Sequence, residues 1–501
     1  MAEENKLLAR LKELDREIVH FVHMIDILDW DQQTYMPEFA SDARADQLAL
    51  LESMSHQRNT SPELGELLES LDSENPVLSE QDRAFVREVR RRYTKLVKLP
   101  ESLVATFARE RSLAQSVWVK AKEADRFADF APNLERLVDL SREIAECYGY
   151  SEHIYDALLD TYEPGMTAAE VTQVFDNVAR SLQPLVAAIA DAPQVRSDFL
   201  EREYPAALQE QIGRDILTDI GFDFKRGRLD VSAHPFTTTL GPHDIRLTTN
   251  YALNYLPKSL FGSIHEGGHG MYEQGISAEL HGTVLGEGTS LGIHESQSRS
   301  WENIIGRSLP FWKHYYPRLQ GAFQQQLGEV SLYEFYCGIN KVEPSCIRIE
   351  ADEVTYNLHI ILRFELEKML LSGDLAVKDL PAAWNDRMKE LLGIAPPNDK
   401  EGVLQDVHWS AGLIGYFPTY ALGNLYGAQF AAKIRDLVPD IDTKLENGDF
   451  SSVLSWQREH IHPYGKTYSA GELCEKATGS RLDPGFFIEY LNGKFKDIYG
   501  L

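Results

Sequence analysis

Cysteine is scarce. The chain of 501 residues has four, Cys147, Cys337, Cys346 and Cys474, and none stands in a C-x-x-C pair. Free, mostly buried thiols in a reducing compartment are therefore expected. Positive charge is also short, with 50 Lys and Arg against 77 Asp and Glu, a net charge of -27. That balance argues against binding nucleic acid and against docking on an anionic membrane. Long apolar runs are missing too: no stretch of 18 or more residues could form a membrane span. Met1 to Leu14 alternates charge with leucine and lacks the basic start and apolar run of a signal peptide. No internal repeat, low-complexity tract or flexible linker divides the chain. What remains is an ordinary globular composition, 43% hydrophobic and 25% charged. A cytoplasmic protein is the expectation, of two to four domains or one large helical one over 1–501.

Histidine is rare as well, 15 in the chain, and two of them stand in His265-Glu266-Gly267-Gly268-His269. The surrounding stretch, about Pro257 to Gly275, reads as a helix. Each helical residue turns about 100°, so residues four apart lie roughly 40° from one another. His265 and His269 then point the same way, one turn apart, and both imidazoles can reach one metal ion. Glu266 falls at the edge of that face, within reach of the attacking water but outside the ligand set. The motif thus specifies a zinc site together with its general base. The plainer reading is a surface helix with two satisfied histidines. Against it, Gly267, Gly268 and Gly270 would each cost such a helix about 1 kcal/mol. Glycine there makes sense if a substrate strand or a packed neighbour comes close to the backbone.

Helical spacing governs most of the rest. Leu7, Leu8, Leu11, Leu14, Ile18, Phe21, Val22 and Ile25 mark a long helix over 3–30, ended by Asp29-Trp30-Asp31 and Met36-Pro37. Further helices are read over 41–57, 61–72, 80–97, 101–125, 131–149, 152–160 and 167–192. Arg90, Arg91 and Arg92 in the third of these read as a solvated face. From Leu229 the composition turns β-branched. Leu229 to Ser232, Phe236 to Leu240 and Ile245 to Thr249 predict a small antiparallel sheet. Asp244, Arg246 and Thr248 share one strand face, which either lines a cleft or forms an exposed edge.

After the histidine helix, Ala278 to Thr283 reads as a short strand. A helix then runs from about Ser290 to Arg307. A catalytic zinc needs three protein ligands and one open position. Glu295 has room to fold back as the third; Glu287 and Glu302 compete, with His294 further behind. Residues 347–371 read as one helix with a polar stripe, Arg348, Asp352, Thr355, Tyr356, His359 and Arg363. Such a stripe usually faces water. As a cleft wall it would let Arg348 pair with Asp352 one turn away. The segment from Gly402 to Tyr420 is irregular and aromatic. His408, Tyr416 and Tyr420 are candidate donors to a developing oxyanion, or else buried groups with satisfied polar tips. The stretches 422–440, 450–460, 469–477 and 484–498 look helical and close the core.

Six motifs, in this order, resemble those of the carboxypeptidase Taq family of metallopeptidases. They are His234-Pro235-Phe236; Asp244-Ile245-Arg246-Leu247-Thr248; His265 to His269; His294-Glu295-Ser296-Gln297; Ile347-Arg348 to Ala351-Asp352; and Gly402 to Trp409. None departs from the family pattern, and the resemblance spans the chain. It implies a mostly α fold, one large helical domain with a deep active-site groove and a small sheet beside it, similar to neurolysin. It implies removal of single amino acids from peptide C-termini with broad preference, and often a homodimer. It implies Glu295 as the third ligand beside His265 and His269. In the wider group a histidine and a tyrosine twelve residues later face the oxyanion, a spacing that His408 and Tyr420 have here.

The expected protein is a zinc carboxypeptidase with one ion per chain, cobalt or manganese being acceptable to the same ligand types. Glu266 is the base, and Tyr420 with His408 holds the oxyanion. Carboxypeptidase action also needs a cation for the substrate's terminal carboxylate. Arg348, oriented by Asp352, is expected to be the main anchor, Arg246 an accessory, and His234 a further substrate contact. The alternatives are an oligopeptidase or endopeptidase on the same scaffold, or a silent helical binding protein.

Overall fold

The computed structural model describes residues 2–74 and 77–501. Helices dominate, and one contiguous apolar core runs from Leu8 to Tyr499. Their starts follow local chemistry. Thr167 with Glu170, Ser331 with Glu334 and Ser469 with Glu472 form reciprocal capping boxes. Among the described residues no helix is long and apolar enough to cross a membrane. All four cysteines are unpaired; Cys337 and Cys474 are buried, Cys147 and Cys346 half-buried.

The N-terminal helix, Ala2–Thr34, runs past the expected stop at Asp29 to Asp31. The cause is Trp30, which is buried and packs under two guanidinium groups, Arg246 at 4.2 Å and Arg228 at 5.1 Å from its ring. Tyr35, just beyond, donates to Asp230 at 2.6 Å. The helix end is thereby docked on the sheet. The arginine run of the helix Glu80–Lys98 is not a solvated face. Arg90 donates to the carbonyl of Leu68 at 2.6 Å, Arg91 pairs with Asp160 at 3.0 Å, and Arg92 pairs with the buried Asp15 at 2.6 Å. Three consecutive residues thus tie three different segments together.

The sheet has three strands, β1 (Gly227–Val231), β2 (Thr237–Thr239) and β3 (Ile245–Thr249), in the order β1-β3-β2. It is mixed rather than wholly antiparallel: β2 runs antiparallel to β3, but β1 is parallel to it. A two-residue turn cannot make a parallel pair, and the chain between β1 and β3 includes β2 itself. β3 is therefore the central strand, which removes the exposed-edge reading. Ala278 to Thr283 forms turns and no strand.

Two predicted helices are interrupted. Ser290 to Arg307 is an α-helix over Leu291–Arg299 followed by a π-helical turn over Ser300–Ile305. Residues 347–371 split into a 3-10 turn, Arg348–Glu350, and the helix Tyr356–Ser372. Asp352 is the reason. Its carboxylate accepts from the backbone N–H groups of Glu343, Val354 and Thr355 and from the Thr355 hydroxyl. It starts a helix rather than sitting inside one.

Candidate metal centre

The histidine helix is Leu256–Gly275. Its glycines admit packed neighbours. A Cβ on Gly268 would lie 2.6 Å from the Cα of Ser298 and 2.7 Å from the carbonyl oxygen of Gln297. The backbone of Leu291–Arg299 therefore crosses directly over Gly268. That close crossing brings Glu295 to the two histidines.

His265, His269 and Glu295 converge, with one ligand atom from each lying within 4.8 Å of the others. The Nε2 atoms of His265 and His269 are 3.7 and 3.5 Å from Oε2 of Glu295. A tetrahedral ion with bonds of about 2.0–2.1 Å sets its ligand atoms roughly 3.3 Å apart. Two imidazole nitrogens and one carboxylate oxygen at these spacings fit a divalent ion with little adjustment. The competitors for the third place are engaged elsewhere. Glu287 is exposed and paired with Lys466. Glu302 lies behind His265, 2.9 Å from its Nδ1.

Each ligand is held from behind. With Nε2 facing the centre, Nδ1–H of His265 donates to Glu302, which Arg299 and Arg307 also hold at 3.2 and 3.5 Å. Nδ1 of His269 lies 2.6 Å from Nδ1 of His294, whose Nε2 reaches Glu273 at 2.8 Å. The second histidine is thus oriented through a third. Arg299 donates from Nε to Oε1 of Glu295 at 2.7 Å, leaving Oε2 toward the histidines. Burial works against charge on Glu302, yet Arg299 and the His265 hydrogen bond bring its carboxyl down to about 2. Burial pushes His269 down to about 3, so its imidazole stays neutral, as a metal ligand must be.

Glu266 is buried beside the triad, and burial raises its carboxyl above the usual range. On the opposite side lies the helix Pro418–Leu437. A Cβ on Gly423 would sit 2.5 Å from Cγ of Glu295, and one on Gly427 would sit 3.1 Å from the carbonyl oxygen of Ser296. These glycines, one turn apart, seat that helix directly on the ligand helix. Tyr420 stands one turn before Gly423, so it is brought to the ligand's side. His408 Nε2 is 3.2 Å from the Tyr420 hydroxyl, and burial lowers His408 to about 4. Tyr416 is next to both, with its ring 5.3 Å from that of Tyr420.

The polar stripe of 347–371 is buried, not wet: Arg348, Thr355, His359 and Arg363 have little or no exposure. Arg348 does not pair with Asp352. Its Nε and Nη2 both reach Oδ1 of Asp406, at 3.0 and 2.7 Å, and Nη1 reaches the Tyr356 hydroxyl at 3.0 Å. Arg363 reaches the other oxygen of Asp406 at 2.6 Å. Arg246 is held by Asp244 at 2.8 Å. His234 is exposed in the loop between β1 and β2, where its carbonyl accepts from Ser232. Sequence spacing did not reveal the supporting roles of Glu302, His294, Glu273, Arg299 and Asp406. The visible signal was Arg299 and Glu302, four and seven residues past Glu295, which share its helical stripe.

A triad of this kind would hold a divalent ion through three side chains, and a buried acid, Glu266, stands beside it. That is the design of a metal-dependent peptide hydrolase, and the chain is one. Residues 10–495 match the Carboxypeptidase Taq (M32) metallopeptidase family, and the chain belongs to it. It is 42% identical to Thermostable carboxypeptidase 1 of Thermus thermophilus, over 98% of each chain. It is 39% identical to Carboxypeptidase 1 of Bacillus subtilis, over 97% of each. The crystal structure of the M32 carboxypeptidase from Deinococcus radiodurans superposes with a TM-score of 0.96 at 39% identity, covering 99% of this chain and all of that one. The protein is a metallocarboxypeptidase.

Proposed function

We propose that the ion is zinc, one per chain, held by His265, His269 and Glu295, and that the enzyme releases single residues from peptide C-termini with broad preference. The observation that carries this reading is the donor set itself, two imidazoles and one carboxylate around a common point. When bound there, zinc would supply a Lewis acid and would lower the pKa of a water toward about 7. Glu266 takes the proton of the attacking water and passes it to the leaving amine. The Tyr420 hydroxyl, 3.2 Å from His408 Nε2, donates its proton to the oxyanion. The whole chain acts as one domain, and we place it in the cytoplasm as a homodimer acting on peptides. The test is mass spectrometry of one long peptide digested with and without a chelator. Stepwise loss of C-terminal residues should stop with the chelator and return with zinc. Internal cuts would overturn the exopeptidase reading, and recovery with cobalt or manganese but not zinc would overturn the metal.

Arg348 remains our choice as the main carboxylate anchor, with Arg246 and His234 as accessories. The support is a charge count. Arg348 and Arg363 share one carboxylate, Asp406, while burial holds His359 to about 3 and His408 to about 4, so both stay neutral. The cluster has one positive charge in excess, 5.1 Å over the Tyr420 ring. An incoming carboxylate would neutralise it. Arg348→Ala should weaken free-acid peptides strongly and leave slow cleavage of amidated ones almost unchanged. The measurement is the ratio of kcat/KM for the acid and amide forms of one peptide. A ratio that survives in Arg348→Ala but collapses in Arg246→Ala would reverse the ranking.

A further inference from the structure

A buried glutamate with three side-chain torsions does not aim itself. Glu266 must present one carboxylate oxygen to the attacking water, yet its neighbours along the helix are glycine and two metal ligands. The structure provides one hydroxyl for the purpose. Thr237 Oγ1, on β2, lies 2.6 Å from Oε2 of Glu266 and 3.2 Å from the same residue's backbone carbonyl. No other donor reaches that carboxylate among the described residues. The hydroxyl therefore ties up Oε2 and leaves Oε1 for the water.

The strand's placement makes this a built feature. Thr237 pairs with Leu247 and Thr239 with Ile245, and both partners are fully buried. Residues two apart on a strand face the same way. Thr239 accordingly reaches Glu273 at 3.0 Å, the carboxylate that steadies His269 through His294. Glu266 and Glu273 are seven residues apart, two turns along one face of the histidine helix. Two threonines on one short strand thus meet the two carboxylates on that face.

We propose that Thr237 is a positioning residue for the reaction, fixing the orientation of the Glu266 carboxylate as it accepts the proton. This rests on Glu266 being the base. Positioned groups gain their advantage from a narrow range of geometry, and a loose base loses it without losing substrate. The experiment compares Thr237→Val, which keeps the shape and removes the hydroxyl, with Thr237→Ser, which keeps the hydroxyl. Both are measured alone and in a Glu266→Gln background, with bound metal determined for each protein. Thr237→Val should lower kcat about 10- to 100-fold at the low end of general-base effects. Its KM and metal content should be unchanged, and Thr237→Ser should restore most of kcat. In the Glu266→Gln background the valine should cost nothing more. A Thr237→Val enzyme within twofold of wild type, while Glu266→Gln collapses, overturns the proposal and spares the base. Loss of metal or a raised KM in both variants makes Thr237 merely structural and also overturns it. Should Glu266→Gln itself turn over normally, the base assignment fails first.

Discussion

Replacing His265 with alanine should remove the metal and abolish turnover. In the proposed site His265 is one of two nitrogen ligands, and the remaining His269 and Glu295 would form only two corners of a site that needs three. The fold should survive the change. Glu302, which loses its imidazole partner, stays between Arg299 and Arg307 and is not left as an unpaired buried charge. Helical signal and melting behaviour should therefore stay near wild type in the metal-free state. Metal content after dialysis, measured alongside peptidase activity, checks the result. A protein that keeps one ion and normal turnover would sink the assignment. Glu295→Ala is its companion: full metal affinity in that variant would put the third ligand elsewhere.

Glu266→Gln should keep the metal and lose at least about 100-fold in rate, the lower bound for general-base catalysis. Glutamine has the same length and its amide oxygen can still accept the Thr237 hydroxyl, so the side chain has every reason to stay in place. What it lacks is the capacity to take a proton. The comparison must be made on enzyme shown to be metal-replete, so that a slow rate reports the base and not an empty site. Near-normal kcat under those conditions would rule out the role.

The motif around His265 was legible because helical geometry translates a spacing of four directly into a shared face. The same rule misread residues 347–371. Periodicity shows which residues share a face, not whether that face meets water or Asp406, some forty residues or more along the chain from Arg363 and Arg348. Asp352 misled for a local reason: within a polar stripe, an interior aspartate and one that starts a helix look alike. Arg90 to Arg92 posed the same difficulty, since their partners Asp15, Leu68 and Asp160 belong to three separate segments. Spacing alone left the third place open among Glu287, Glu295 and Glu302, because it does not show that Gly268 and Gly423 let two backbones close on either side of Glu295. The parallel pairing of β1 and β3 has no signature in strands this short.

The π-helical turn over Ser300–Ile305 sets a limit on chain length. Its wider coil holds one residue more than a regular helix would over the same span, and the N–H of Gly306 bonds back five residues to Trp301 at 2.8 Å. Shortening the segment by that residue would restore an ordinary helix, the lower-energy backbone. It would also rotate everything beyond the deletion by about 100° relative to Glu295. Arg307, which reaches back to Glu302 at 3.5 Å from beyond the turn, would then leave it, although no residue of the centre had been changed. Here the residue count itself is under constraint. The surplus residue is a small local sacrifice of helix stability that keeps a ligand and its support in register.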